Sequence, residues 1–172
     1  MGRKTVRTAI QTYLQTAATA KTLLNVSKIY AHPPKLTPSG TFYAGQDPGH
    51  GTGCVIYLHL KRQNESRIAI GGPTNGMKAR PYVLTMLCFL RSKKIDTQDV
   101  GDDNDEFLDS LTALIEADRS AGAPATIFQW GEGHNLFGVD IDVKAGMPRP
   151  LRSGNSQVFS TVDVVVYEIL NT

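Results

Sequence analysis

The chain has 172 residues, 41% of them hydrophobic and 20% charged, with a formal net charge of +2. That size and composition fit one soluble globular domain with a substantial core. The charge is too close to balance to argue nucleic-acid binding. The longest nearly apolar run, Tyr82–Leu90, is far too short to cross a bilayer, so no membrane partner is expected. After Arg3, Lys4 and Arg7 comes an amphipathic segment rather than a continuously apolar one, and no signal peptide is read. The two cysteines, Cys54 and Cys88, lie in strand-like apolar segments and are expected as buried, reduced thiols of a protein made in a cytoplasm.

In chain order, Thr5–Ala20 places Val6, Ile10, Tyr13, Leu14 and Ala17 on one face of a helix. Val26–Ala31 reads as a short strand. Cys54–Lys61 alternates, with Cys54, Ile56, Leu58 and Leu60 on one side, and Arg67–Ile70 follows the polar turn Gln63–Ser66 as the second arm of a hairpin. Gly71–Pro81 reads as a loop, and Tyr82–Arg91, apolar on both faces, as a central covered strand. A helix is expected from about Asp103, with Asp103 and Glu106 as a capping box. Phe107, Leu108, Leu111, Leu114 and Ile115 form its buried stripe, and Gly122 and Pro124 stop it. Ala125–Trp130, Gly138–Lys144 and Gln157–Leu170 complete the strands. The expected fold is a single α+β domain over residues 1–172: a mixed, largely antiparallel sheet packed against two helices, with 33–53 as a long extended loop.

That loop, PPKLTPSGTFYAGQDPGHGTG, is Pro or Gly at nine of its 21 positions and has neither helical nor strand periodicity. Connections longer than about 12–15 residues are uncommon inside compact domains and are usually functional or disordered. Fixing its backbone costs on the order of 20–40 kcal/mol. Its main apolar side chains, Leu36, Phe42 and Tyr43, return about 2 kcal/mol each. The segment therefore reads as an assembly element held by a partner, with Lys35, Leu36, Phe42 and Tyr43 as its contact residues.

The small net charge conceals two opposed regions. Residues 1–46 carry Arg3, Lys4, Arg7, Lys21, Lys28 and Lys35 and no acid, whereas residues 96–118 carry nine carboxylates and no base. One reading is a pair of solvated helix faces. The other is complementary surfaces that meet between subunits, Arg3, Lys4 and Arg7 on one and Asp99, Asp102, Asp103 and Asp105 on the other, since such charge steers encounter and fixes register.

Searches for catalytic chemistry return nothing. Gly71 and Gly76 have the spacing of a phosphate-binding loop, but Met77, Lys78 and Ala79 follow where Lys and a magnesium-binding hydroxyl are required. His32, His50, His59 and His134 form no helical pair, and His50 with Cys54 supplies too few ligands for zinc. Asp102–Asp105 resembles the start of a calcium loop, but Phe107 stands at the position that needs glycine. Asp140 and Asp142 share one face of a strand as on an ordinary solvated edge. No Gly-x-Ser-x-Gly elbow exists. No catalytic residue, cofactor or metal is assigned.

From Arg67 to Glu132, RIAIGG leads through a Gly- and Lys-containing loop to the strand PYVLTMLCFLRS. An acidic approach, the helix DEFLDSLTALIEADRSAG and the strand TIFQWGEG follow. With the N-terminal amphipathic helix and the closing strand ending VVVYEIL, this order resembles the tail terminator, or tail completion, proteins of long-tailed siphophages, especially those of actinobacterial phages. The resemblance implies a non-enzymatic virion protein, assembled in the host cytoplasm, that forms a ring, typically hexameric, at the head-proximal end of the tail. Its implied partners are further copies of itself, the major tail tube protein and the head-completion or connector protein, with DNA only as passing cargo. Another neck or tail component, such as a head-completion or tube protein, is the nearest alternative, and a nucleotide-binding domain a more distant one.

Overall fold

The computed structural model describes residues 2–32, 53–63, 66–67, 77–93, 97–117, 128–130, 141–150 and 156–171. Two helices, α1 (Arg3–Thr19) and α2 (Thr97–Ala117), accompany eight strands in this part of the chain. The strands are β1 (Val26–Tyr30), β2 (Gly53–Gln63), β3 (Ser66–Arg67), β4 (Met77–Ser92), β5 (Gln129–Trp130), β6 (Ile141–Lys144), β7 (Arg149–Pro150) and β8 (Ser156–Asn171). They join in one sheet in the order β1-β2-β4-β8-β5, with β3 beside β4 and both β6 and β7 beside β8. Only the β1–β2 pairing is parallel among the described strands. The α+β class, the two helices and the mixed, largely antiparallel sheet agree with the sequence reading.

The parallel β1–β2 pair changes the meaning of the long Pro/Gly segment. Tyr30 at the end of β1 lies beside Tyr57, so the chain has to travel back along the strands before Gly53 opens β2. A parallel connection takes a dozen or more residues for that return, and the stretch 31–52 exceeds this minimum by only about ten. Topology thus accounts for much of a length that the sequence reading gave wholly to a partner. Gly53 itself is strand, at φ 127°, where a Cβ would stand 3.1 Å from Ser27 Cβ and 3.2 Å from the Asn25 carbonyl oxygen. Residues 33–52, with Lys35, Leu36, Phe42 and Tyr43, lie outside the described part.

Beyond β2, the expected hairpin with Arg67–Ile70 does not form. Gln63 pairs with Tyr82, Ser66 with Ala79 and Arg67 with Lys78, so β3 continues β2 in the same register against β4. Gln63 and Ser66, the ends of the expected polar turn, both lie in that row, and the chain reverses after Arg67, where Gly-Gly-Pro and Asn-Gly supply stronger turn signals. Met77–Pro81, expected as loop, belongs to β4.

On β8, successive short partners occupy one edge. β5, β6 and β7 pair in turn with residues near 166, 163 and 157, forming an interrupted row antiparallel to it. Lys144, Pro148 and Pro150 along this row are residues that blunt an edge against further strand addition.

One face of the sheet is covered by the helices. Val6, Ile10 and Leu14 of α1, and Phe107, Leu111 and Ile115 of α2, are fully buried on alternate residues of β2, β4 and β8. The α2 helix starts earlier than expected because Val100 and Asn104, at 0% and 2% exposure, extend its buried stripe upstream. Asp103 therefore lies inside the helix and the capping box is absent. Asn25 Nδ2 donates instead to the Asp103 carbonyl (3.3 Å) and Glu106 Oε2 (2.9 Å). Cys54 and Cys88 are free and buried in the same core. A partly buried ion pair joins Arg80 Nη1 to the buried Glu168 Oε2 at 3.5 Å, with the Tyr82 hydroxyl donating to the same oxygen at 2.8 Å.

Candidate functional site

The basic start of α1 is built against local preference. Gly2 caps it without a side-chain bond, and its first turn holds no acid. Arg3 and Lys4 face the positive end of the helix dipole, an unfavourable placement of about 0.3–1 kcal/mol each. Burial of Val6, Ile10 and Leu14 holds the helix in place despite this. Arg3 Nη2 donates to the Leu60 carbonyl at 2.6 Å, and Arg7 Nη2 to His32 Nε2 at 2.8 Å. Desolvation, then the like charge of Arg3, pushes the Arg7 guanidinium pKa below its ordinary value. Lys4 points to solvent.

The acidic surface is the outer side of α2. Asp99, Asp102, Asp105, Glu106, Asp109 and Glu116 are exposed, Asp103 is partly so, and no base occurs along the helix. Charge in its first turn suits the dipole, but Glu116 in the last turn does not.

The structure does not bring the two expected patches together within one copy. Arg3 is fixed at Leu60, whereas Asp103 is fixed at Asn25, whose carbonyl accepts from the Cys54 amide at 2.6 Å. Six strand residues, about 20 Å, separate those levels of the sheet. The patches occupy opposite ends of the helix layer.

The second face of the sheet carries residues that the sequence reading did not single out. Tyr30 stacks on Tyr57 at 5.1 Å, Tyr57 meets Phe89 edge-on at 5.9 Å, and Phe89 lies 4.6 Å from Phe159. This aromatic row crosses β1, β2, β4 and β8. Val55, Tyr57 and Phe89 are buried, but Phe159 at the β8 end is 45% exposed. Beside it Met147 is 83% exposed, and Gly146, Met147, Arg149, Gln157 and Phe159 line a groove of about 440 Å³. The sequence signal was available: on the first half of β8, Phe159 stands on the outward side between the polar Gln157, Thr161 and Asp163.

Polar groups fill the middle of that face. Asp142 and Asp163 are directly opposed across β6 and β8, an unfavourable pairing of like charges. Lys144 Nζ meets Asp142 at 2.8 Å and Lys61 Nζ meets Asp163 at 3.4 Å, while Thr85 Oγ1 donates to Asp163. The Asp142 carboxylate pushes the Lys144 pKa up. His59 is exposed nearby, His32 bonds Arg7, and His50 and His134 lie outside the described residues, as does Asp140. Among the described residues, no three His, Cys, Asp or Glu side chains gather as metal ligands, and no helix is long and apolar enough to cross a membrane.

Comparison with known proteins gives little beyond this geometry. No family model matches the chain, and no curated protein does. Among solved structures, a chain titled "Virion of native gene transfer agent (GTA) particle" aligns over 94% of this chain and 93% of its own length, at 14% identity and a TM-score of 0.34. A likeness that loose carries no argument about fold or function.

Proposed function

We propose that this chain is a structural protein of a phage-like particle, and specifically a tail terminator whose ring caps the tail tube, ends its polymerisation and meets the head-side connector. The reading rests on the order of elements: helix, short strand, long return, long hairpin, acidic helix, interrupted edge row and closing strand. The sequence resemblance to tail terminators was drawn on part of this order: the N-terminal helix with its early strand, the strand before the acidic helix, that helix, the strand after it and the closing strand. The exposed chemistry accords with an assembly role, because opposed charge is kept on separate surfaces of one copy. A head-to-tail ring uses two different patches per subunit, each satisfied only by a neighbour. The partners proposed are further copies of this chain, the tail tube protein and the connector, with DNA passing through the lumen.

Disrupting the coding sequence tests this reading. A missing cap leaves tube growth unterminated, so particles are expected with overlong or headless tails, restored by supplying the chain in trans. Tails of normal length joined to heads would refute it.

A further inference from the structure

The two surfaces of strongest opposite character lie on opposite sides of the sheet. On the helix side, α2 presents a continuous acidic ridge. On the other, among the described residues, Lys28, Lys61, Lys144 and Arg149 stand on the face turned away from the helices, with Asp142 and Asp163 as its carboxylates. Lys28 sits over the Tyr30 ring at 4.9 Å, which fixes it to this face. Lys61 and Lys144 meet the two carboxylates, while Arg149 lines the Met147–Phe159 groove and Lys28 stands on the same face at β1.

We infer that this groove and its cationic surround receive the acidic ridge of α2 from a second copy of the chain. The contact refines the head-to-tail ring proposed above and rests on that reading for its biological setting. Three observations fix the occupant. The charges are complementary, which sets register and excludes like surfaces. The groove is apolar at its centre, with Phe159 and Met147 the most exposed large hydrophobic side chains among the described residues. Such a centre inside a polar rim is the anatomy of a protein interface rather than of a phosphate-binding surface. The ridge also fits: Asp105, Asp109, Ala113 and Ala117 follow one another at four-residue steps and are all exposed, so small apolar surface continues from the carboxylates. At 21 residues, α2 is about 32 Å long, enough to lie across four strands about 4.8 Å apart. With the sheet between them, the two surfaces cannot meet within one copy, so the contact is heterologous and propagates.

A charge-swap experiment tests the contact. One variant carries Met147→Glu with Arg149→Glu; the other carries Asp102→Lys, Asp105→Lys and Asp109→Lys. All five positions are exposed, and circular dichroism checks that each variant is folded. A milder Met147→Ala variant keeps the test decisive if a charge variant does not fold. By sedimentation equilibrium at low salt, each variant alone should self-associate about tenfold or more weakly than the wild type. Mixing the two charge variants should restore association, since each then offers the surface that the other lost. Wild-type association in either variant alone, or a wild type that stays monomeric at every concentration and salt, overturns the contact. So does a sheet-face variant that keeps self-association but loses binding to a single-stranded oligonucleotide. A wild type that self-associates through this contact yet never seats on tube ends refutes the capping function and leaves the contact standing.

Discussion

Gly146→Ala should destabilise the protein although only one methyl group is added. A Cβ at Gly146 would stand 1.8 Å from the Phe159 carbonyl oxygen and 2.8 Å from its carbon. Cβ contacts below 3.0 Å are essentially never seen, and both atoms are backbone of the long strand β8. Residues 145–148 therefore have to move outward by about an ångström or more, far enough to weaken a hydrogen bond. Such a shift breaks the bond from the Gly146 amide to Ser160 Oγ (3.2 Å), which itself donates to Asn104 Oδ1 (3.1 Å). Ser160 and Asn104 are 1% and 2% exposed, so water does not replace the lost partner without further opening. A net bond is worth about 0.5–1.5 kcal/mol, and leaving a buried group unsatisfied costs about 1–3 kcal/mol. Loss of unfolded-state freedom on replacing Gly returns about 0.4–1 kcal/mol. The expected outcome is a loss of about 2–3 kcal/mol, read as a lower urea midpoint at unchanged slope. Stability equal to or above wild type would refute the close approach and the polar chain from β8 to α2.

Lys21 holds φ 59° just past the end of α1, with the Thr22 amide bonded back to the Ala17 carbonyl at 3.0 Å. Glycine is the residue suited to that left-handed position, so Lys21→Gly should raise stability by about 0.5–1 kcal/mol in the same titration; a loss would contradict the assignment. Burial, followed by the neighbouring Cys88, pushes the Cys54 thiol pKa well up, and burial, followed by the bond to Glu168, pushes Tyr82 up. The folded state keeps these protons after the unfolded chain has released its own, so stability is full below the ordinary thiol pKa and falls as pH rises above about 8.5. Melting temperature should therefore decline between about pH 8 and pH 10, and a rise over that window would refute the buried, protonated state. Deleting Phe42–Gly49, which leaves about fourteen residues for the parallel return from β1 to β2, should leave a folded monomer, judged by circular dichroism, that docks poorly on rings or tubes; normal docking would remove the loop from the interface.

Much of the sheet was legible because its central strands obey period two. Cys54, Ile56, Leu58 and Leu60 fall on the helix side as their alternation required, and β8 spans nearly the residues that its pattern marked. What failed was pairing. Nothing local showed that Gln63 and Ser66 would pair in one register with β4 rather than bound a hairpin turn. The parallel β1–β2 pair was likewise invisible, since parallel order is a long-range property; without it the length of the Pro/Gly segment looked like a demand for a partner. The start of α2 was missed because a buried Asn104 reads as polar, although it continues the stripe through Val100.

For the assembly surfaces, charge was legible and position was not. The acidic helix and the basic first residues were visible in composition, but their separation to opposite ends of the helix layer depends on α1 and α2 being fixed at different levels of β2. The cations of the second sheet face were hidden for another reason: among the described residues they come from β1, β2, β6 and β7 and share a face only through the sheet.

The most direct measurement of the central claim is to locate the chain along the tail axis in electron micrographs of assembled particles. A terminator predicts a single ring of this chain at the head-proximal end of the tube. Density repeated along the tube, or none in the tail at all, would contradict it.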